Sequence, residues 1–201
     1  MQYHTIGIAL GISAAIVQLI AYAIYNKDLA TPNAASWFLW AVGSLVEGLS
    51  YVEMTGDWVK NLLPISCCFA CVGTFVYVAA KGKFGWPSLW EVFIILLDLG
   101  ALWVWYHWRS ATYANLWMQV TAIMSFIPVL RDVFYDSEKE NRLSWYIWAL
   151  AYAMLSAAVV CRYEKWEDLV YPVNFCFLHL GVAFLAGKRV LVVSEKMKII
   201  L

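Results

Sequence analysis

The sequence predicts an all-α membrane protein: seven transmembrane helices arranged as two parallel three-helix repeats joined by a linker helix. Three observations carry this. Of the 201 residues 63% are hydrophobic and 14% charged, against about 45–50% and about 25% in ordinary soluble domains, an excess that excludes a soluble globular fold. The apolar residues fall into seven runs, roughly 3–25, 34–54, 58–80, 88–107, 112–130, 143–161 and 166–187, each close to the ~20 residues that cross a bilayer. The chain also repeats itself at a shift of 108 positions.

In chain order, the first run has no Lys or Arg before Lys27 and no clear cleavage signal, so it reads as a retained helix. The second and sixth runs follow Asn33 and Asn141, whose side chains suit the caps of the helices they precede. The third and seventh open near Trp58 and Trp166 and carry Pro64 and Pro172; the fifth carries Pro128. The connections are short, the longest being Arg131–Arg142. One membrane domain results, with repeat 1 at about 3–80, the linker helix at about 88–107, repeat 2 at about 112–187 and a tail at 188–201. No water-soluble catalytic domain fits. Fourteen basic and fourteen acidic residues cancel, so no net field draws a nucleic acid. Cys67, Cys68, Cys71, Cys161 and Cys176 lie within apolar runs and read as small packing residues. No disulfide framework, metal site or cofactor follows from them.

The repeat is the strongest signal. A shift of 108 superimposes Asp28, Asn33, Ser36, Trp37, Trp40 and Ala41 on Asp136, Asn141, Ser144, Trp145, Trp148 and Ala149. Without a gap, it also superimposes Val52, Trp58, Pro64, Cys68, Phe69 and Gly73 on Val160, Trp166, Pro172, Cys176, Phe177 and Gly181. These are 12 identities in the 46 positions from 28 to 73, where average residue usage gives roughly 3. Equivalent helices are four crossings apart, an even number, so the two copies run in the same direction. Parallel repeats are related by an axis along the membrane normal, and the substrate of such transporters sits between them near the midplane.

Orientation follows the basic residues, which stay cytoplasmic. The amino-terminal side holds Lys60, Arg109, Arg162 and Lys165, and the other side ten Lys or Arg, including Lys81, Arg131, Lys139 and Lys188. The amino terminus is expected outside and the carboxyl terminus in the cytoplasm. Trp58, Trp105, Trp108 and Trp166 suit an interfacial aromatic belt.

A three-plus-one-plus-three chain with this orientation resembles the SWEET/PQ-loop superfamily over residues 3 to 187. Ser125-Phe126-Ile127-Pro128, followed by a polar loop and Ser144-Trp145, is similar to a PQ loop, with Val129 in place of the glutamine and Ile20 in place of the first copy's proline. Trp145-Tyr146-Ile147-Trp148 resembles the WxxW motif of Pnu-type vitamin transporters, as do the later Tyr171 and Gly181; Tyr152 stands where that family often has a polar residue. The SWEET resemblance implies that Asn174 and its equivalent Ser66 contact a ligand.

Helical spacing puts Trp40, Ser44, Glu47 and Tyr51 on one face of the second helix and Trp148, Tyr152, Leu155 and Val159 on one face of the sixth. Trp40 and Trp148 are candidates to stack on a substrate or gate it, whereas Trp37 and Trp145 suit interfacial anchors. Pro64, Pro172 and Pro128 free backbone carbonyls and can act as hinges. Glu47, Asp98 and His179 lie deep in the bilayer, where a charge costs about 3 kcal/mol or more, so each needs a partner or a wet cavity. Protonation of Glu47, Asp98 or His179 could couple transport to protons. Gln119 is deep enough to reach a central site.

The resulting expectation is a membrane transporter, not an enzyme, moving a small polar, sugar-like metabolite by alternating access. Its pocket would be lined by Asn174, Ser66, Trp148, Trp40, Tyr152, Gln119 and Glu47. Its partners would be that small molecule, the lipid bilayer and, as an oligomer, further copies of itself. A Pnu-type vitamin or nucleoside transporter is an alternative. A seven-helix receptor of the KDEL-receptor type, a different class, would need a cationic lumenal cavity. An enzyme would rest on Asp98 and His179 as an acid/base pair, without an accompanying nucleophile or metal constellation.

Overall fold

The computed structural model describes residues 2–28, 34–81 and 86–186. These form seven helices: α1 (Gln2–Asp28), α2 (Ala34–Thr55), α3 (Trp58–Ala80), α4 (Leu89–Trp108), α5 (Ala111–Tyr135), α6 (Arg142–Cys161) and α7 (Glu167–Leu185). The described residues contain no strand. Six helices are long and apolar enough to cross a membrane. The exception is α2, which has the length but carries Ser36, Ser44, Glu47, Ser50 and Glu53.

Local chemistry sets the boundaries. Asp57 caps α3 by accepting the Val59 amide at 2.9 Å. Gly56 takes the preceding turn with φ +61°, a conformation glycine adopts without a Cβ penalty. Ser88 and Glu91 form a reciprocal capping box on α4. Ser110 caps α5 and Asn141 caps α6, the latter accepting the Ser144 amide at 3.1 Å. Asn33 and the tail at 188–201 lie outside the described residues. Helix α5 runs to Tyr135, past the predicted end at 130, because Val133 has a buried site to fill beyond the polar Arg131 and Asp132. Pro64, Pro128 and Pro172 each lie inside a helix that continues past them.

The helix adjacencies have a regular form. Within the first three helices, α3 packs against both α1 and α2; within the last three, α7 packs against both α5 and α6. Across the two groups, α1 runs along α6 and α5 runs along α2, with lighter contacts of α3 on α6 and α7 on α2. Exchanging α1, α2, α3 for α5, α6, α7 leaves this set of adjacencies unchanged. Helix α4 stands outside the exchange, against α5 and α2. Small residues permit close seams: Ala14 and Ala21 on α1 and Ala151 and Ala158 on α6 are fully buried. A Cβ at Gly11 would collide with Val59 of α3.

The outward faces are apolar. Phe69, Phe177, Leu96 and Val120 are exposed with many other large hydrophobics, far more than the few hundred Å² of contiguous apolar surface a soluble monomer shows. The fold is therefore that of an integral membrane protein. Trp58, Trp108 and Trp166 project at helix ends, where amphipathic rings meet headgroups. The bundle has two ends: a head end, where α1 begins, and a tail end, where α7 finishes.

Candidate functional site

A cavity of about 830 Å³ lies between the two groups of helices. Pairs of residues 108 positions apart recur around its wall. Both members of five such pairs line it: Trp37 and Trp145, Trp40 and Trp148, Ser44 and Tyr152, Cys67 and Phe175, Cys71 and His179. Each first member comes from α2 or α3 and each second from α6 or α7. The rim lies at the tail end, where Asp136, Glu138 and Lys139 of the α5–α6 connection line the opening.

Aromatic rings dominate the upper wall. Tyr22 of α1 meets Trp148 edge-on at 4.9 Å, and Phe126 of α5 meets Trp40 edge-on at 5.0 Å, so each tryptophan of the pair packs on the first helix of the opposite group. Tyr25 lies between Trp37 and Trp148, at 5.7 and 5.2 Å. Glu140 accepts the Trp145 indole N–H at 2.8 Å and the Tyr25 hydroxyl at 3.4 Å. Burial raises the Glu140 carboxyl above its ordinary value of 4.5 although both donors pull it down.

Deeper, Glu47 and Asp98 reach the cavity from α2 and α4. Glu47 Oε1 accepts the Gln119 amide at 2.6 Å. Gln119 Oε1 in turn accepts Asn174 Nδ2 at 3.1 Å, and Asn174 also donates to the Gln119 carbonyl at 3.2 Å. Asn115 donates to Ser50 at 3.2 Å beside the same network. On the α3 side, the Tyr22 hydroxyl lies 2.9 Å from Cys71 Sγ and 3.4 Å from Cys67 Sγ.

The head end is closed beneath this cavity. Tyr152 stacks on Phe175, and its hydroxyl lies 3.3 Å from that of Tyr171. The Tyr171 ring lies 4.7 Å from that of Tyr51, whose hydroxyl donates to the Asp168 carbonyl at 2.8 Å. Lys60 Nζ then contacts Asp168 Oδ2 at 2.7 Å, with both side chains at 0% exposure, and reaches Glu164 at 3.4 Å. Arg162 Nε donates to Asp57 Oδ2 at 2.6 Å and Lys165 to the Met54 carbonyl at 2.9 Å. Burial alone would raise the Asp57 carboxyl, but the Arg162 guanidinium and the Val59 amide hold it below 3.8.

Of the residues singled out from sequence, Trp40, Glu47, Trp148, Tyr152, Asp98, His179 and Pro128 line the cavity. Gln119 and Asn174 border a separate shallow groove on the α5–α7 face, and Gln119 links Asn174 to Glu47. Ser66 turns back on its own helix, donating to the Leu63 carbonyl at 2.8 Å. Pro64 and Pro172 are buried in α3 and α7, away from the lining. Asp98 is buried beside Gly43 of α2, while His179 Nδ1 donates to the Phe175 carbonyl at 2.7 Å. Trp37 and Trp145, read as interfacial anchors, are buried in the cavity wall. Sequence reading missed the Lys60–Asp168 pair, although a lysine and an aspartate 108 residues apart were visible as equivalents of opposite charge. It also missed Tyr22, for which no local signal existed, and took Tyr171 only as part of a motif resemblance. Among known proteins, the chain matches no family model, no curated protein and no solved structure.

Proposed function

We propose that the chain carries a small polar solute across a membrane by alternating access between two parallel three-helix bundles, α1–α3 and α5–α7, with α4 as the linker and α2 crossing like the others. One observation carries the reading: both members of five residue pairs at the repeat spacing line the cavity. A chamber built this way lies on the axis relating two copies, where rocking one bundle against the other exchanges which end is open. The exchange symmetry of the helix adjacencies supports the same arrangement. With its rim at the tail end and Tyr171, Tyr51 and Lys60–Asp168 below its floor, the conformation corresponds to one half of the cycle. The excess of Lys and Arg on the tail-end side makes that end cytoplasmic, so this state faces inward.

In this reading Trp40, Trp148 and Tyr152 hold the solute, and the Glu47–Gln119–Asn174 network reports its arrival to α5 and α7. Pro64, Pro128 and Pro172 are the hinges. A receptor for a peptide carboxylate is disfavoured, since the cavity wall carries Glu47, Asp98 and Glu140 rather than a cluster of cations.

The test is exchange of labelled sugars, nucleosides, vitamins, amines and amino acids across proteoliposomes containing the full chain. One class should exchange, and W148A, in protein that still unfolds cooperatively, should abolish it. Absence of exchange for every class by folded protein would overturn the proposal.

A further inference from the structure

We infer that the solute is a small organic cation, an ammonium-type ion of low hydration that also carries an acceptor oxygen. The inference rests on reading this cavity as a solute site and goes beyond it by naming the charge.

The first observation is electrostatic. Six carboxylates line the cavity, Asp132, Asp136, Glu138 and Glu140 towards the rim and Glu47 and Asp98 deep within, whereas Lys139 is the one Lys or Arg on that lining among the described residues. Lys139 is spent on Asp132, 3.4 Å away, which Arg131 also approaches at 3.7 Å. Glu47 is met by a neutral group, the Gln119 amide, and among the described residues neither acid has an ion-pair partner. The two acids are also neighbours: a Cβ at Gly43 would sit 3.0 Å from Asp98 Oδ2, and Gly43 is one helical turn from Glu47 on α2. A buried carboxyl without a counter-charge is costly unless it holds its proton, and a sugar brings it no counter-charge. An entering cation supplies the missing charge.

The second observation concerns what kind of cation. The rings of Tyr22, Tyr25, Trp40 and Trp148 line the same space. A ring face attracts a cation within about 6 Å, by about 2 kcal/mol or more when water is excluded. A hydrated metal ion instead seeks about six oxygen ligands, which this ring-rich wall does not suit.

The third is a donor left over. The Trp148 side chain is 3% exposed, lines the cavity, and its indole N–H has no acceptor within the protein. Buried indole N–H groups normally find a partner. A solute oxygen carried two carbons from the cationic centre, as in choline, would provide it.

Calorimetric titration of the full-length protein in detergent tests this with choline, tetramethylammonium and the uncharged carbon isostere of choline, 3,3-dimethylbutan-1-ol. Choline should bind at least about tenfold more tightly than its isostere, about 1.4 kcal/mol. E47Q and D98N should each reduce that ratio, and W148F should weaken choline while leaving tetramethylammonium, which lacks the oxygen, within about twofold. The comparison of choline with its isostere needs no variant, so it stands even if a substitution fails to fold. Equal binding of the isostere, no binding of either cation, or an undiminished ratio in folded E47Q and D98N would overturn the inference. If a neutral sugar or nucleoside exchanges in proteoliposomes while the cations do not bind, the transporter reading survives and the cation falls. If no solute exchanges, the transporter reading itself fails.

Discussion

Lys60 and Asp168 stand 108 residues apart, at equivalent places in the two halves of the chain, and their side chains meet at 2.7 Å with neither exposed to solvent. A residue can touch its own equivalent only near an axis that relates the copies. In the proposed arrangement the ion pair marks where that axis leaves the head end, and the paired tryptophans Trp37/Trp145 and Trp40/Trp148 mark its passage through the cavity.

Removing one partner leaves the other charge buried. K60M or D168N should each lower the unfolding free energy by about 3–5 kcal/mol, whereas K60M/D168L should recover most of the loss because an apolar pair of similar volume is often as stable. Denaturant unfolding in mixed micelles measures all three. A double variant as unstable as the sum of the singles would show that the pair is more than a local charge match.

Acid stability should follow Asp57. Its folded carboxyl is held below 3.8 by Arg162 and Val59 against the effect of burial, so it stabilises the fold above that value and the contribution is lost as pH falls through its folded value. Glu140 has the opposite sign: burial raises it above 4.5, so its contribution is full below 4.5 and is lost as pH rises through the folded value. Unfolding midpoints recorded from neutral pH downwards should show a shallower acid limb in D57N than in wild type, and a smaller loss on raising the pH in E140Q.

The seam between α1 and α3 should resist even one methyl group. A Cβ at Gly11 would collide with the Val59 side chain and lie 3.0 Å from its carbonyl oxygen, so G11A should cost about 1–3 kcal/mol. Gly73 has nothing within 4 Å of an added Cβ, and G73A should stabilise by up to about 1 kcal/mol through helix propensity. Thermal unfolding of the two variants side by side makes the comparison.

Gln119 joins Glu47 to Asn174 with one amide group. Q119L would strand both partners, at about 1–3 kcal/mol for each group left unpaired. Q119E, matched in shape but without the donor, should destabilise at neutral pH and recover as the pH is lowered. Chemical unfolding of both variants at two pH values separates the cases.

Much of the fold was legible because membrane helices are written in composition. The runs at 58–80 and 143–161 coincide with α3 and α6 to within a residue or so, since the bilayer requires ~20 apolar residues in succession. The overrun of α5 to Tyr135 was not legible, because Arg131 and Asp132 end the apolar run while the helix continues past them. The site was half legible. Trp40, Glu47, Trp148 and Tyr152 share helical faces that spacing alone identifies, and they line one cavity. Ser66 and Asn174 also came as an equivalent pair, but equivalence does not fix which way a side chain turns: Ser66 bonds its own helix and Asn174 bonds Gln119. Tyr22 owes its place to the packing of α1 on α6, which no local pattern encodes.

The most direct test is to lock the head end and ask whether solute still passes. K60C/D168C, placed in a background with the five native cysteines replaced, is bridged by a short cleavable bifunctional thiol reagent across the two equivalent positions. Bridging should stop exchange in proteoliposomes, and cleaving the bridge should restore it, while solute still binds from the tail end throughout. Exchange continuing at the uncrosslinked rate with the bridge intact would contradict alternating access between the two bundles.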